Sequence, residues 1–223
     1  KDISDVNAIL EIDETDHVRS HKLFDNKSTD ELFNMSTDIF VVDTPWLIER
    51  LEEEAQKEYP EKLRYVLRDL AAKEGAFAYE YTGYLANIHS VQSYYQANID
   101  MLESKKFYSL FSPNQKIYTK VKNEEPTYYA NTSKVSTSQF ASGSIIEGQV
   151  VQSVLSRNIY VHKDSVVKDS ILFPRVVIGQ GAQVEYAILD KGVEVADGVV
   201  IRGTAEHPVV VKKGETVTED IYS

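Results

Sequence analysis

The chain has 223 residues, of which 42% are apolar and 26% charged, the balance of a globular protein able to bury a sizeable core. Its formal charge of −11, with no Lys/Arg stripe to offset it, excludes nucleic acid and anionic membrane surfaces as natural partners, and no run of about 18 apolar residues exists to span a membrane. With no cysteine, disulfides, thiolate catalysis and Cys-ligated metals are excluded too, which fits a cytoplasmic setting. The opening Lys1-Asp2-Ile3-Ser4-Asp5 offers neither an initiator Met nor an apolar leader core, so the sequence reads as a piece of a longer protein.

In chain order, Ala8-Ile9-Leu10-Glu11-Ile12 alternates, Asp13-Glu14-Thr15-Asp16 turns, and His17-Val18-Arg19 returns, which predicts a hairpin. Asp38-Ile39-Phe40-Val41-Val42 reads as a short apolar strand. Thr44 as N-cap and Pro45 at the first helical position predict a helix through about Ala55. A second helix over about 60–73 places Leu63, Val66, Leu67, Leu70 and Ala71 on one face. Phe77-Ala78-Tyr79-Glu80-Tyr81 reads as a strand, and Ser90 caps a helix carrying Val91, Tyr94, Tyr95 and Leu102. Residues 1–104 thus form a mixed α/β part. Residues 105–133, with Pro113, Pro126 and several aromatic residues, read as a packed connector.

From about residue 144 the sequence matches itself at an offset of 17. Ile159, Val176 and Val193 align, as do Val161, Ile178 and Val195, and Leu155, Leu172 and Leu189. Small residues form a further column at Ser153, Ser170 and Ala187. Aliphatics return about every six residues, so three short faces make one coil of a triangular parallel β-helix, here expected left-handed, over residues 134–223. Each coil buries its inward Val or Ile only against its neighbours. The β-branched content and the recurring Gly/Asp turns exclude helices.

Two stretches then carry a family likeness. Ser36-Thr37-Asp38-Ile39-Phe40-Val41-Val42 and Gly83-Tyr84-Leu85-Ala86-Asn87-Ile88-His89-Ser90, followed by Pro126-Thr127-Tyr128-Tyr129 and the β-helix, resemble glucose-1-phosphate adenylyltransferase (ADP-glucose pyrophosphorylase), most closely the regulatory-type subunit of bacterial glycogen synthesis. The resemblance implies that residues 1–104 are the C-terminal part of a nucleotidyltransferase-like (Rossmann-like) domain. It also implies a family reaction that joins ATP and glucose 1-phosphate with Mg²⁺, and a cytoplasmic oligomer as the working form.

Departures from the family pattern define the expected site. The Gly-rich nucleotide loop is absent. In the motif at 84–90, Asn87 stands where the family has a metal-binding Asp and Leu85 where it has Trp, while Phe40 replaces a Tyr. The family's sugar-phosphate Lys falls near Lys22-Leu23-Phe24-Asp25, and neither Lys22 nor Lys27 matches it. Ser36, Glu58 and Tyr59 remain similar to what the sugar-phosphate pocket requires. The resemblance therefore implies a vestigial pocket of Ser36, Phe40, Glu58, Tyr59, Leu85 and Asn87, with no catalytic or metal-holding residue and no cofactor of its own. Its expected partner is a catalytic subunit of the same family, or itself. Two rival chemistries stay open: an active enzyme of the same family whose metal is held elsewhere, and a hexapeptide-repeat acyltransferase using His162 as base.

Overall fold

The computed structural model describes residues 8–23, 33–111, 117–120 and 122–223. The chain divides into two compact units, 1–82 and 83–223.

In the first unit, β1 (Ala8–Ile12) and β2 (Val18–Leu23) form the expected hairpin, with Ala8 opposite Leu23 and Leu10 opposite His21. Asp13 sets the turn, since its carboxylate accepts the backbone N–H groups of Thr15 and His17. These bonds hold the Asp13 carboxyl well below the usual carboxylate range. β3 (Asn34–Met35) adds antiparallel to β1, giving the order β2-β1-β3. Two amphipathic helices follow, α1 (Thr44–Ala55) and α2 (Leu63–Glu74). The cap of α1 is Asp43 rather than Thr44, because its carboxylate accepts the Trp46 N–H at 3.1 Å. α2 ends on Gly75 in the left-handed conformation, the usual helix stop.

Two expected strands of this unit are not formed among the described residues. The segment 38–42 has no strand partner: Asp38 turns the chain at φ 56, and Val41 is 99% exposed. The segment 77–81 keeps one bridge, from Phe77 to His17, and Tyr79 is 92% exposed. Both have β-favouring side chains, but a strand exists only through a ladder of backbone hydrogen bonds, and none of the described neighbours supplies one.

The second unit is a parallel β-solenoid of about six turns. Face one stacks Tyr128–Tyr129, Ile145–Ile146, Tyr160–Val161, Val177–Ile178, Glu194–Val195 and Thr216–Val217. Face two stacks six strands from Lys134–Ser136 to Ile221–Tyr222, and face three five from Gln139–Phe140 to Val209–Val211. The first rung therefore starts at Tyr128, inside the segment read as a connector.

Central rungs keep the 17-residue register, as in Val161 to Ile178 and Ile171 to Ile188. The register breaks at Arg202, because a turn over 203–208 is inserted, closed by Thr204 N–H to the His207 carbonyl; Ala187 consequently pairs with Val209. Inward columns such as Val150, Val167, Val184, Ile201 and Leu155, Leu172, Leu189 are buried. At about 1.5–3 kcal/mol for each such side chain, these columns hold the coils together. Gly148 has a steric reason: a Cβ there would lie 2.6 Å from the carbonyls of His162 and Ser165 on the next rung.

α3 (Val91–Ile99) packs on face three. Tyr95, 2% exposed, sits against Ile171 and Ile188, and its hydroxyl donates to the Asp169 carbonyl at 2.8 Å. Ser90 caps it as the sequence predicts, in a reciprocal box with Ser93. Leu102 falls in a short 3₁₀ turn beyond it, and α4 (Ser104–Leu110) follows.

Candidate functional site

Four of the six pocket residues lie in the first unit. Ser36 is fixed by its N–H bond to the Ala8 carbonyl, and its hydroxyl donates to Asp38 Oδ1 at 3.0 Å. Asp38 in turn accepts Arg68 Nε at 2.6 Å and Arg68 Nη2 at 2.5 Å. Arg68 comes from α2 and is 2% exposed, so this is a bidentate pair whose guanidinium is withdrawn from water. Removing either partner strands a charge. Its arrangement can orient the 36–38 turn, but its hydrogen bonds are spent inside the protein.

Phe40 lines an apolar cavity of about 300 Å³ with Trp46, Leu67, Leu70 and Phe77 among its walls. The two acids at its rim are already engaged: Asp43 caps α1, and Glu74 accepts the Trp46 indole N–H at 3.0 Å. Glu58 and Tyr59 stand apart from this wall, in the turn after α1, and Tyr59 is 80% exposed. Of the two lysines that the sequence sets near the family's sugar-phosphate position without matching it, Lys22 lies on β2, 4.0 Å from the Glu11 carboxylate; Lys27, with Phe24 and Asp25, falls outside the described residues.

The other two residues belong to the second unit. Leu85 is 54% exposed. Asn87 is exposed as well, and its carbonyl lies 3.0 Å from His89 Nδ1. The same stretch is anchored by Tyr84, whose hydroxyl donates to Asp100 Oδ2 at 2.9 Å. Burial, then the bond to Asp100, pushes the Tyr84 phenol up to about 12. Burial works to raise the Asp100 carboxyl as well, but donors from Lys106, Gln96 and Tyr84 outweigh it and hold that group low. Asp100 is thus the hub that ties the motif to α3 and α4. His162, the alternative base, lies at a solenoid corner with its ring stacked on Tyr160 at 3.8 Å and Nδ1 4.0 Å from Glu147.

The Mg²⁺ of the family reaction needs clustered oxygen ligands with carboxylates among them. Among the described residues no group of three or more His, Cys, Asp or Glu could hold a metal ion. Asn87 offers a neutral amide where the resemblance calls for an acid. The donor set does not fit the metal.

Sequence reasoning missed two features. One is the Asp38–Arg68 pair, whose only signal was an Arg within the apolar face of α2. The other is a hydroxyl ladder in the small-residue column. Ser153 Oγ accepts the Ser170 N–H, and Ser170 Oγ accepts the Ala187 N–H, each at 3.1 Å. Each hydroxyl also donates to the carbonyl two residues earlier. The column was visible; its bonding required the coil.

Stacked coils with six-residue faces define a hexapeptide-repeat β-helix protein, and residues 120–219 match the family model described as GlmU-like, C-terminal hexapeptide. Similarity extends beyond the solenoid. Over 200 residues the chain is 34% identical to the glycogen biosynthesis protein GlgD of Bacillus subtilis, covering 80% of this chain and 52% of that protein. It is 31% identical over 140 residues to the glucose-1-phosphate adenylyltransferase of Bacillus cytotoxicus, covering 63% of this chain and 37% of that protein, and 28% identical over 131 residues to that of Clostridium acetobutylicum, covering 57% and 34%. The chain is a relative of the glucose-1-phosphate adenylyltransferases and of GlgD, and it spans about half the length of GlgD. Among the described residues no helix is long and apolar enough to cross a membrane.

Proposed function

We propose that this chain is the C-terminal part of a GlgD-like subunit of glycogen biosynthesis, non-catalytic or weakly catalytic, that works in a complex with a catalytic glucose-1-phosphate adenylyltransferase. In this reading residues 1–104 are the back of a nucleotidyltransferase-like domain, and the solenoid serves assembly. A cytoplasmic location follows from the substrates, ATP and glucose 1-phosphate. One observation carries the reading: position 87, in the motif that resembles the family's, holds an amide, where the resemblance implies a metal-binding acid. Nucleotidyl transfer relies on metal ions to neutralise developing phosphate charge, and a neutral amide is a poor ligand for a hard cation. Leu85 and Phe40, in place of Trp and Tyr, remove an aromatic wall and a hydroxyl from the same pocket. Similarity to GlgD over 80% of the chain supports the same assignment.

The test is to titrate the full-length protein into the glucose-1-phosphate adenylyltransferase of the same source. A shift in kcat or KM of that enzyme, with co-sedimentation of the two, is the expected result. An enzyme that neither binds it nor changes its kinetics contradicts the proposal.

An active enzyme of the same family is the runner-up. The double change Asn87→Asp with Leu85→Trp separates the two, because a working site gains little from it. Acyl transfer through His162 has a weaker basis, since that ring is stacked on Tyr160 beside an acid at a solvated corner. Calorimetry with acyl-CoA tests it: binding that is lost in His162→Ala supports acyl transfer, and no binding rules it out.

A further inference from the structure

Arg68 stands beside Leu67 among the buried positions of α2, with its side chain 1% exposed. A guanidinium withdrawn from water costs free energy unless an oxyanion takes both its charge and its donors. Nε and Nη2 lie along one edge of its planar fork, which fits two oxygens of a carboxylate or of a phosphoryl group equally well. Here the two oxygens belong to Asp38, with Oδ1 on Nε at 2.6 Å and Oδ2 on Nη2 at 2.5 Å. A third donor converges on the same group, since the Ser36 hydroxyl donates to Oδ1 at 3.0 Å. Two guanidinium N–H groups and a hydroxyl around one anion are the donor set of an oxyanion cradle.

The occupant reaches this cradle at a cost. Asp38 lies in the left-handed region at φ 56, which disfavours residues that carry a Cβ. Its N–H is held by Ser36 Oγ at 3.2 Å, so the hydroxyl that completes the cradle also bends the chain that fills it. A pair that only joined this turn to α2 would need neither the turned backbone nor the third donor. In sequence, Asp38 stands between Ser36 and Phe40, two positions of the pocket that the resemblance implies for a sugar phosphate.

We infer that Ser36 and Arg68 form a cradle for the oxyanion of a ligand, phosphoryl or carboxylate, and that this chain fills it from within with the Asp38 carboxylate. The filled cradle repels a second anion by charge and by bulk, so a sugar phosphate is shut out whatever stands at position 87. The inference goes beyond the reading above. No metal, nucleotide or catalytic partner enters it, and either can fail while the other stands.

The test empties the cradle. Glycine accepts φ 56 without strain, so Asp38→Gly reads the stranded guanidinium rather than the turn. Trp46, the one tryptophan of the chain, lies in the same unit and reports its melting by fluorescence, apart from the solenoid. In sodium chloride the Asp38→Gly chain melts below the parent. Sodium formate or inorganic phosphate, at equal ionic strength and ten times the dissociation constant, raises its melting temperature by about 5 °C more than it raises the parent's. A larger rise with phosphate assigns the cradle to phosphoryl groups and a larger rise with formate to carboxylates, and both support the inference. Asp38→Asn fills the space without the charge and gains no response beyond the parent's. Adding Arg68→Met to Asp38→Gly abolishes the response. An Asp38→Gly chain that is unfolded in chloride serves as well, because formate or phosphate must then fold it. The inference is overturned by an Asp38→Gly chain that responds to neither anion more than the parent does, by one that stays unfolded in all three salts, or by a response that survives Arg68→Met.

Discussion

Asp169 shows how a single residue is made to work against its own charge. Its carboxylate is 7% exposed beneath α3, with Lys168 Nζ at 3.6 Å and Tyr186 and Glu185 as neighbours. Burial raises its pKa, and the nearby lysine only partly offsets this. A carboxyl whose folded pKa lies above its unfolded value binds its proton more tightly when folded. The resulting stability is present below the unfolded value, about 3.9, and is lost as pH rises through the folded one. Asp169→Asn cannot ionise. The variant should therefore melt above the parent at pH 7, with the difference vanishing near pH 3, in thermal melts followed by circular dichroism. Ser170 is the opposite case, a buried polar group fully used. Ser170→Ala leaves the Ala187 N–H without its bond and takes from the Lys168 carbonyl one of its two donors, the Tyr186 N–H remaining, which should cost about 1–3 kcal/mol in urea unfolding. Neither effect was legible from the chain alone. The 17-residue offset placed Ser153 and Ser170 in one column, but whether a small buried residue bonds or merely fits depends on the backbone of the next coil. For Asp38 and Arg68, thirty positions apart, no period connects them at all.

At the scale of elements, local signals succeeded where the element closes its own hydrogen bonds and failed where it needs a partner. α2 and α3 form because their caps and apolar spacing are contained within a dozen residues. The hairpin of β1 and β2 forms because Asp13 builds its turn. The segments 38–42 and 77–81 have equally good strand composition, yet pairing is a property of neighbours, and the described residues give them none beyond one bridge. Helix α3 tests how much an element owes to its seat. Tyr95 supplies both a ring against Ile171 and Ile188 and the hydroxyl bond to Asp169. Tyr95→Phe should destabilise the chain by about 1 kcal/mol, the worth of one intramolecular hydrogen bond. Tyr95→Ala should cost about 3–5 kcal/mol and should speed amide exchange across 91–99 more than in the solenoid core, as read by hydrogen exchange with mass spectrometry.

For the whole molecule, the repeat made the solenoid readable, because stacked coils force each inward position to recur. Its limits were less so: the first rung at Tyr128 has no earlier coil to match, and the 203–208 insertion breaks the period after Arg202. The candidate pocket was readable only as a set of substitutions against a family pattern, and its residues fall in two units, with Ser36 and Phe40 in one and Leu85 and Asn87 in the other. The resemblance alone unites them, since it implies an amide where the family has an acid, an alkyl chain where it has an indole and a phenyl where it has a phenol. The most direct measurement is synthesis of ADP-glucose by the purified full-length protein alone, supplied with Mg²⁺, ATP and glucose 1-phosphate. On the proposed function the protein alone gives at most a trace of product above the protein-free blank. Sustained turnover that disappears on Asn87→Ala would contradict it.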